Sequence, residues 1–510
     1  MEDTWKEAND LVIELIGKGQ VDDALAAANR AADIALRKHG ENHANSAISL
    51  NNIGELCHMA GKLGESEEAF RKSLAISEAL YGPFAQEAAE TLMNLAELHL
   101  SRQEINEARQ CMERVVEIHG KNETDPRLHV QAIYHLVMIL QGLGEFENAL
   151  AKLKDGLALT EEKLGVDDPH LVPFLKKLAA IDLQAGKVDL AEEGLRRAIG
   201  VLEKSVGPEH PDFAVCLSLM AEVYVFRGHQ TAAESFYGQA LEIFKSTLGA
   251  DHVETAAILE RLAGFLRVAG KKGKAESLLQ EALNSYTASL GKDDPATARV
   301  QNDLGEVYLD SSRHELALPL FEASRVTREK AFGKNHPVVA QSLNNLGVVH
   351  SLRGEKTLAL KQHGKALAIR EKAFGLTHPA ITQSLENMAA IYQERGEMAR
   401  AEELLQRSLA VWQSAHNDRH PAVAQANHNL ASLYMATGRN DDAEQRLFCA
   451  RKILEQTGEQ GKPHLATVFK SFAKLYSAMG RVAESREYTA RAEKILKPPT
   501  AKTGLGTTVH

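Results

Sequence analysis

Residues 335–379 read NHPVVAQSLNNLGVVHSLRGEKTLALKQHGKALAIREKAFGLTHP. The stretch opens on His336-Pro337 and closes on His378-Pro379, 42 residues later. Two apolar-periodic runs, 338–353 and 356–373, are parted by Gly354. Leu343, Leu346, Val349 and Leu352 recur every three residues in the first run. Ala359, Ala366, Ile369 and Ala373 recur at spacings of seven, three and four in the second. Both are helical periods, so the stretch predicts one helix, a tight turn at glycine and a second helix packed back on the first. Such a pair cannot bury its apolar faces alone and needs neighbours.

The chain supplies them. Taking Gly354 as a turn slot and stepping by 42 reaches Gly19, Gly61, Gln103, Gly144, Gly186, Gly228, Gly270, Ser312, Gly396, Gly438 and Gly480, with a single step of 41 between 103 and 144. Five residues after the slot stand ten alanines and two serines, Ser66 and Ser485, which lets two helices approach closely. Eight residues before it, from Leu11 to Phe472, all twelve side chains are apolar and are core candidates. Seven before it, ten of twelve are Gly or Ala, with Val12 and Val137 the exceptions. This register predicts an all-α solenoid of about twelve helix-turn-helix repeats, one continuous right-handed superhelix almost without strand. Repeats one to three fall in 1–120 and repeats four to twelve in 121–496 of the same solenoid. The altered linker GKNETDP at 120–126, where the register slips, is the candidate kink. Pro498 and Pro499 stop the last helix, and 497–510 is expected to be a disordered tail.

The residues carry a family likeness. Leu-Gly/Ala, then tyrosine (Tyr224, Tyr308, Tyr392, Tyr434, Tyr476), the turn glycine and the later alanine resemble the tetratricopeptide repeat. That repeat usually runs about 34 residues. The longer period here, with LNNLG at 343–347, AIREKAFG at 368–375 and a Gly-x-x-His/Asp-Pro linker, is similar to the repeats of kinesin light chains. The likeness spans residues 4–496 and implies a scaffold or adaptor that binds peptide segments in a concave groove. Kinesin light chains join their motor through an N-terminal heptad coiled coil. The repeats here begin near residue 4, so a motor-subunit role is not expected.

Composition sets outer bounds. The 510 residues carry a net charge of −10, which gives no footprint for nucleic acid or an anionic membrane. Apolar residues make up 44%, enough for a buried core, and aromatics only 5%, as fits a core of Leu and Ala. Cys57, Cys111, Cys216 and Cys449 are scattered without a C-x-x-C, as expected of free thiols in a reducing compartment. MEDTWKEAND lacks an apolar signal region, and no run of about 18 apolar residues occurs. Membrane insertion is not expected, and a cytoplasmic location is.

Chemical motifs are sparse. His210, His252, His336, His378 and His420 share one linker slot, on separate repeats, and read as linker residues rather than as a metal site. Gly270-Lys-Lys-Gly-Lys and Gly354-Glu-Lys-Thr lack the spacing and the strand of a phosphate loop. No G-x-S-x-G, HExxH or Cys–His constellation is present. No cofactor, no metal and no enzymatic activity are expected.

The informative positions are those that tetratricopeptide arrays, by resemblance, turn toward the groove. They lie 13, 10, 9, 6 and 3 residues before each turn slot. They give Asn51, Asn52 and Glu55 in repeat two, Asn94 in repeat three and Lys176 in repeat five. Repeats seven and eight give Arg261, Arg267, Arg299 and Asn302. Repeats nine to eleven give Gln341, Asn344 and Asn345, then Gln383, Glu386 and Asn387, then Gln425, His428 and Asn429. Amides both donate and accept, so they can hold an extended peptide whatever its sequence. The second asparagine of each pair has another reading, a bond to a neighbouring helix. Arg299 and Asn344 are expected to point away from the helix–helix core. The Lys/Asn clamp for acidic chaperone tails is not matched in adjacent repeats. The expected function is therefore a non-enzymatic scaffold that takes peptide segments of other proteins. The alternative is a structural protein that stacks through its terminal repeats as a homo-oligomer.

Overall fold

The computed structural model describes residues 4–122, 125–416 and 420–496; the tail from 497, with Pro498 and Pro499, lies outside them. Among the described residues are twenty-four α-helices and no strand. They divide into two compact units, Met1–Thr247 and Leu248–His510.

In unit 1 the repeats are α1 (Trp5–Gly17) with α2 (Val21–His39), α3 (Ala44–Met59) with α4 (Leu63–Tyr81), α5 (Gln86–Ser101) with α6 (Ile105–Lys121), α7 (Pro126–Gly142) with α8 (Phe146–Lys163), α9 (Leu171–Gln184) with α10 (Val188–Ser205), and α11 (Pro211–Phe226) with α12 (Gln230–Thr247). Helices α6 and α7 pack on each other across the altered linker. In unit 2 they are α13 (Val253–Val268) with α14 (Lys272–Leu290), α15 (Pro295–Asp310) with α16 (His314–Phe332), α17 (Pro337–Leu352) with α18 (Lys356–Phe374), α19 (Thr382–Glu394) with α20 (Met398–Ala415), α21 (Pro421–Ala436) with α22 (Asn440–Leu454), and α23 (Lys462–Ala478) with α24 (Val482–Leu496).

Every turn slot is left-handed, with φ between 58° at Ser312 and 79° at Gly354. Gln103 and Ser312 are the only described non-glycine residues with positive φ, and they fill the two slots that lack glycine. An L side chain there costs about 1 kcal/mol, so the turn geometry outranks local preference.

The recurrent linker histidines are helix caps. In His43, His210, His252, His336, His378 and His420 the ring Nδ1 accepts the backbone N–H two residues on. Asp125 and Asp294 do the same with a carboxylate. Each satisfies one of the orphan donors at a helix start. His336 and His378 also stack on the phenylalanine ending the previous helix, Phe332 and Phe374, at 5.0 and 4.8 Å.

The small-residue slot is sealed: from Ala24 to Ala443 its side chains have 0% exposure. Ser66 and Ser485 each donate to a carbonyl twelve residues earlier, on Gly54 and Ala473, which satisfies the hydroxyl. The apolar position eight before the slot needs correction. Leu11 is 42% exposed on α1, and Ile53, Leu178 and Met388 are half-buried. The glycines seven before the slot have a specific cause. A Cβ on Gly54, Gly305 or Gly347 would lie 2.5, 2.7 or 2.6 Å from the ring of Phe70, Phe321 or His363. In these three repeats volume is exchanged between the two helices: the second brings a ring and the first gives up its side chain.

Repeats are joined by a recurring clasp. Arg313, Arg439 and Arg481 lie 4.6, 4.1 and 4.2 Å over Tyr308, Tyr434 and Tyr476. Each arginine pairs with a glutamate of the preceding repeat, Glu276, Glu402 or Glu444. Within the units most successive first helices touch, as α3 does α5 and α15 does α17, while no successive second helices are in comparable contact among the described residues. Within each unit the stack is therefore tighter on the first-helix side.

Candidate peptide groove on the first helices

The residues 13, 9, 6 and 2 before the turn slot are spaced four, three and four apart, so they share one helix face. In unit 2 this stripe is largely exposed. The residue ten before the slot lies beside it and faces the following repeat.

That offset sorts the expected site residues. Asn52 donates to Asn9 at 2.9 Å and Asn94 to Asn51 at 3.2 Å. Asn345 donates to Asn302 at 3.0 Å and Asn387 to Asn344 at 3.2 Å. In each case the second asparagine of one repeat bonds the first asparagine of the repeat before. The amide pairs form a ladder between repeats. The expectation that Asn344 points away from the core is corrected: it is 1% exposed, and its Oδ1 also faces His363 Nδ1 at 2.9 Å. Asn302 is likewise buried. Asn429 sits outside the ladder and accepts from Gln425 at 2.9 Å.

The basic residues are engaged too. Lys176 pairs with Asp212, Arg267 with Glu306 and Asp310, and Arg299 with Glu260 through two nitrogens at 2.5 and 2.9 Å. Arg261 is exposed. The amides that stay on the surface are Gln341, Gln383 and Gln425, in one register on α17, α19 and α21. Two are oriented from behind. Arg328 on α16 donates to Gln341 Oε1 at 3.4 Å, and Arg370 on α18 donates to Gln383 Oε1 at 3.1 Å. Both guanidiniums are buried, which lowers their pKa values. With Oε1 taken, the amide NH₂ of each glutamine is left as a donor pair for backbone carbonyls.

A tetratricopeptide-repeat profile matches residues 15–79, 59–121, 172–246, 254–325, 298–372, 380–456 and 422–497, and a second one matches 130–170. The chain belongs to the tetratricopeptide-repeat family. Protein KINESIN LIGHT CHAIN-RELATED 1 of Arabidopsis thaliana is 26% identical over 137 residues, which are 26% of this chain and 22% of that protein. The apo form of the quorum sensor NprR from B. thuringiensis is similar in fold, with TM-score 0.53 and 15% identity, over 73% of this chain and all of that one. BtubC (BKLC) from P. vanneervenii matches 50% of this chain and 94% of its own, at 23% identity and TM-score 0.38. As a tetratricopeptide array the chain has a fold suited to protein–protein interaction.

Toward the end of the array the tetratricopeptide face deepens. A cavity of about 260 Å³ between α19, α21 and α23 is lined by Glu386, Trp412, Gln425, His428, His464 and Thr467. Burial raises the Glu386 carboxyl, which accepts from Ser408 Oγ at 2.7 Å. Burial lowers His428, whose Nε2 lies 2.8 Å from Ser471 Oγ. Glu386 and His428 stand where other repeats carry the buried first asparagine. Earlier in the unit, on α15, Asp303 is pushed up to about 7 by burial and by Glu260 and Glu306. His363 is pushed down to about 4 by burial and by the Arg370 charge.

Arg328 and Arg370 escape a count made on first helices alone. They lie sixteen residues after the turn slot, a column that reads Ala35, Ser77, His119, Thr160, Leu202 and Phe244 in the first six repeats and Tyr286, Arg328, Arg370 and Trp412 in the next four. Two arginines in a column without other Lys or Arg were the available signal. All four cysteines are free thiols; burial raises Cys57 and Cys111 and pushes Cys216 up to about 12, so none of these three is an activated nucleophile. No helix of the described residues is long and apolar enough to cross a membrane.

Proposed function

We propose that the protein is a non-enzymatic scaffold that holds extended peptide segments of partner proteins on the first-helix face of repeats eight to eleven. The observation behind it is the row of Gln341, Gln383 and Gln425, exposed on successive helices, with Arg328 and Arg370 fixing two of the amides from behind. Amide donors repeated once per helix suit a peptide main chain, which repeats its carbonyls, better than any single side chain. The asparagine ladder beneath holds the helices in register and is frame rather than contact surface. Arg299 lies at the head of the row, already paired with Glu260, and an acidic ligand residue would compete for it.

An array of extended peptides of varied sequence, probed with wild type and with Gln341→Ala/Gln383→Ala/Gln425→Ala, tests the reading. Captured peptides should lose at least roughly tenfold in affinity with the triple variant, whose melt should match wild type. Equal affinity in both would remove the row from the binding surface. Self-assembly is the second reading, favoured only by Leu11 and Ile13, which are 42% and 61% exposed on α1. Scattering intensity per mass that rises with concentration, and falls back in Ile13→Glu, would support it.

A further inference from the structure

Resting on that scaffold reading, we propose that the first-helix face of repeats two to four, in unit 1, is a separate site for a partner segment in which lysine or arginine flanks one long apolar side chain. The site is a cavity of about 480 Å³ lined by Met93, Leu100, Met112 and Met138, with Asn94 and His135. Leu100 and Met138 are 43% and 45% exposed, so the apolar lining is open to solvent. Volume and lining fall within the usual range for ligand pockets, concave and mostly apolar with a few polar groups. Thioether side chains are flexible and polarizable, so such a lining adapts to leucine, methionine or phenylalanine alike. Asn94 spends its Nδ2 on Asn51, which leaves Oδ1 as an acceptor for a peptide N–H.

The charge selects the occupant. Glu97 lines the same cavity. Glu55, one repeat earlier, lies within reach of both Glu90 and Glu97; burial first and then these two negative charges raise its pKa. No ion pair joins Glu55, Glu90 or Glu97 to a cation among the described residues, and no lysine or arginine lines the cavity. On the neighbouring α4 the pattern is the opposite: Glu67 and Glu78 hold Arg102 and Arg114. Three carboxylates kept together without a counterion repel one another, and a bound cation relieves that repulsion. A basic, apolar segment meets both demands, whereas an acidic one meets the like-charge barrier.

The test titrates the full chain with fluorescein-labelled Lys-Lys-Leu-Lys-Lys and, as controls, Lys-Lys-Ser-Lys-Lys and Glu-Glu-Leu-Glu-Glu. The first peptide should bind, more weakly as salt rises, and each control should bind at least roughly tenfold less tightly. Glu90→Gln/Glu97→Gln, both exposed and removable without touching the core, and separately Met138→Asp should each weaken the first peptide by a similar factor. Equal binding of the serine or glutamate peptide, or unchanged binding in both variants, overturns the proposal. Concentration-dependent self-association abolished by Met138→Asp overturns it in favour of a second copy. If the basic peptides fail while the array of extended peptides still binds, this site is wrong and the scaffold reading stands. If neither binds, both fall.

Discussion

Six residues before the turn, repeats two to four carry Glu55, Glu97 and Met138, whereas repeats eight to ten carry Glu306, Val348 and Ala390. Thirteen before it, repeats two to four carry Ile48, Glu90 and Gln131, and repeats eight to ten Arg299, Gln341 and Gln383. Unit 1 thus presents unpaired carboxylates beside exposed apolar side chains. Unit 2 presents amides, and its carboxylates Glu260 and Glu306 are tied to Arg299 and Arg267. Beneath both faces the frame is the same: a left-handed turn, a sealed small residue and an asparagine ladder, Asn94 on Asn51 in one and Asn387 on Asn344 in the other. Groove chemistry and repeat stability are therefore carried by different residues of the same helix, and one can change without the other.

The largest effect should strike both regions alike. Ala108→Glu in unit 1 and Ala359→Glu in unit 2 each force a carboxylate into a fully buried slot. Overpacking and an unpaired charge together should cost on the order of 3 kcal/mol or more, read as a fall in urea midpoint. Since repeats couple mainly to their neighbours, hydrogen exchange should rise most in the repeats flanking each substitution. A strong loss in one unit and none in the other would break the idea of a shared frame.

Acid should separate the regions at repeat nine. His363 is buried, and its native pKa is pushed down from 6.5 to about 4. The native state therefore refuses a proton that the unfolded chain accepts. The stability tied to a neutral ring is present above the unfolded value and drains away as pH falls from 6.5 toward 4. At most the loss is on the order of 3 kcal/mol. The corresponding side chain of repeat two is Phe70, also opposite a glycine, which does not titrate. His363→Phe imports the unit 1 arrangement. Its urea midpoint between pH 7 and pH 4.5 should fall distinctly less than that of wild type, and parallel curves would assign the acid loss to other groups.

The glycine–ring exchange comes next. Gly54→Ala and Gly347→Ala should each cost about 1–3 kcal/mol, because the new methyl meets a packed ring. Pairing Gly347→Ala with His363→Leu should recover part of the loss, since most other repeats tolerate alanine opposite a leucine or methionine. A double-mutant cycle with no coupling would show that the glycine serves the backbone rather than the ring.

The frame was legible in the sequence because it is periodic. Twelve turn slots, the small residue and the capped linkers repeat at fixed spacing, and repetition makes a backbone demand visible even where Gln103 or Ser312 replaces glycine. The groove was only partly legible. Counting back from the turn picks the right helix, but it cannot separate Asn344, buried between repeats, from Gln341, exposed three residues earlier. Both are amides on nearly the same face, and their difference of about 60° around the helix axis follows from where the neighbouring repeat sits. Nor could it show that Arg267, Arg299 and Lys176 are spent on ion pairs between repeats, because their partners lie some 36 to 39 residues away. The apolar cavity of repeats three and four escaped for a related reason. Its walls come from α5, α6 and α7, and no single helix carries the pattern.

The smallest effects on the fold should give the sharpest contrast in binding. Gln341→Ala/Gln383→Ala/Gln425→Ala and Glu90→Gln/Glu97→Gln change only exposed side chains, so each should leave stability within about 0.5 kcal/mol of wild type. Their binding effects should not cross. Removing one glutamine hydrogen bond should cost an extended peptide about 0.5–1.5 kcal/mol, and amide-to-carbonyl bonds should keep that cost nearly constant as salt rises. The carboxylate variant should spare that peptide and weaken the basic one, and its effect should shrink in high salt, where exposed charges are already screened. If the faces are independent, titrating both ligands against both variants at low and high salt should show two large changes and two small ones. Equal weakening of both ligands in either variant would mean that one surface serves both, and the contrast between the units would then be one of composition without consequence for binding.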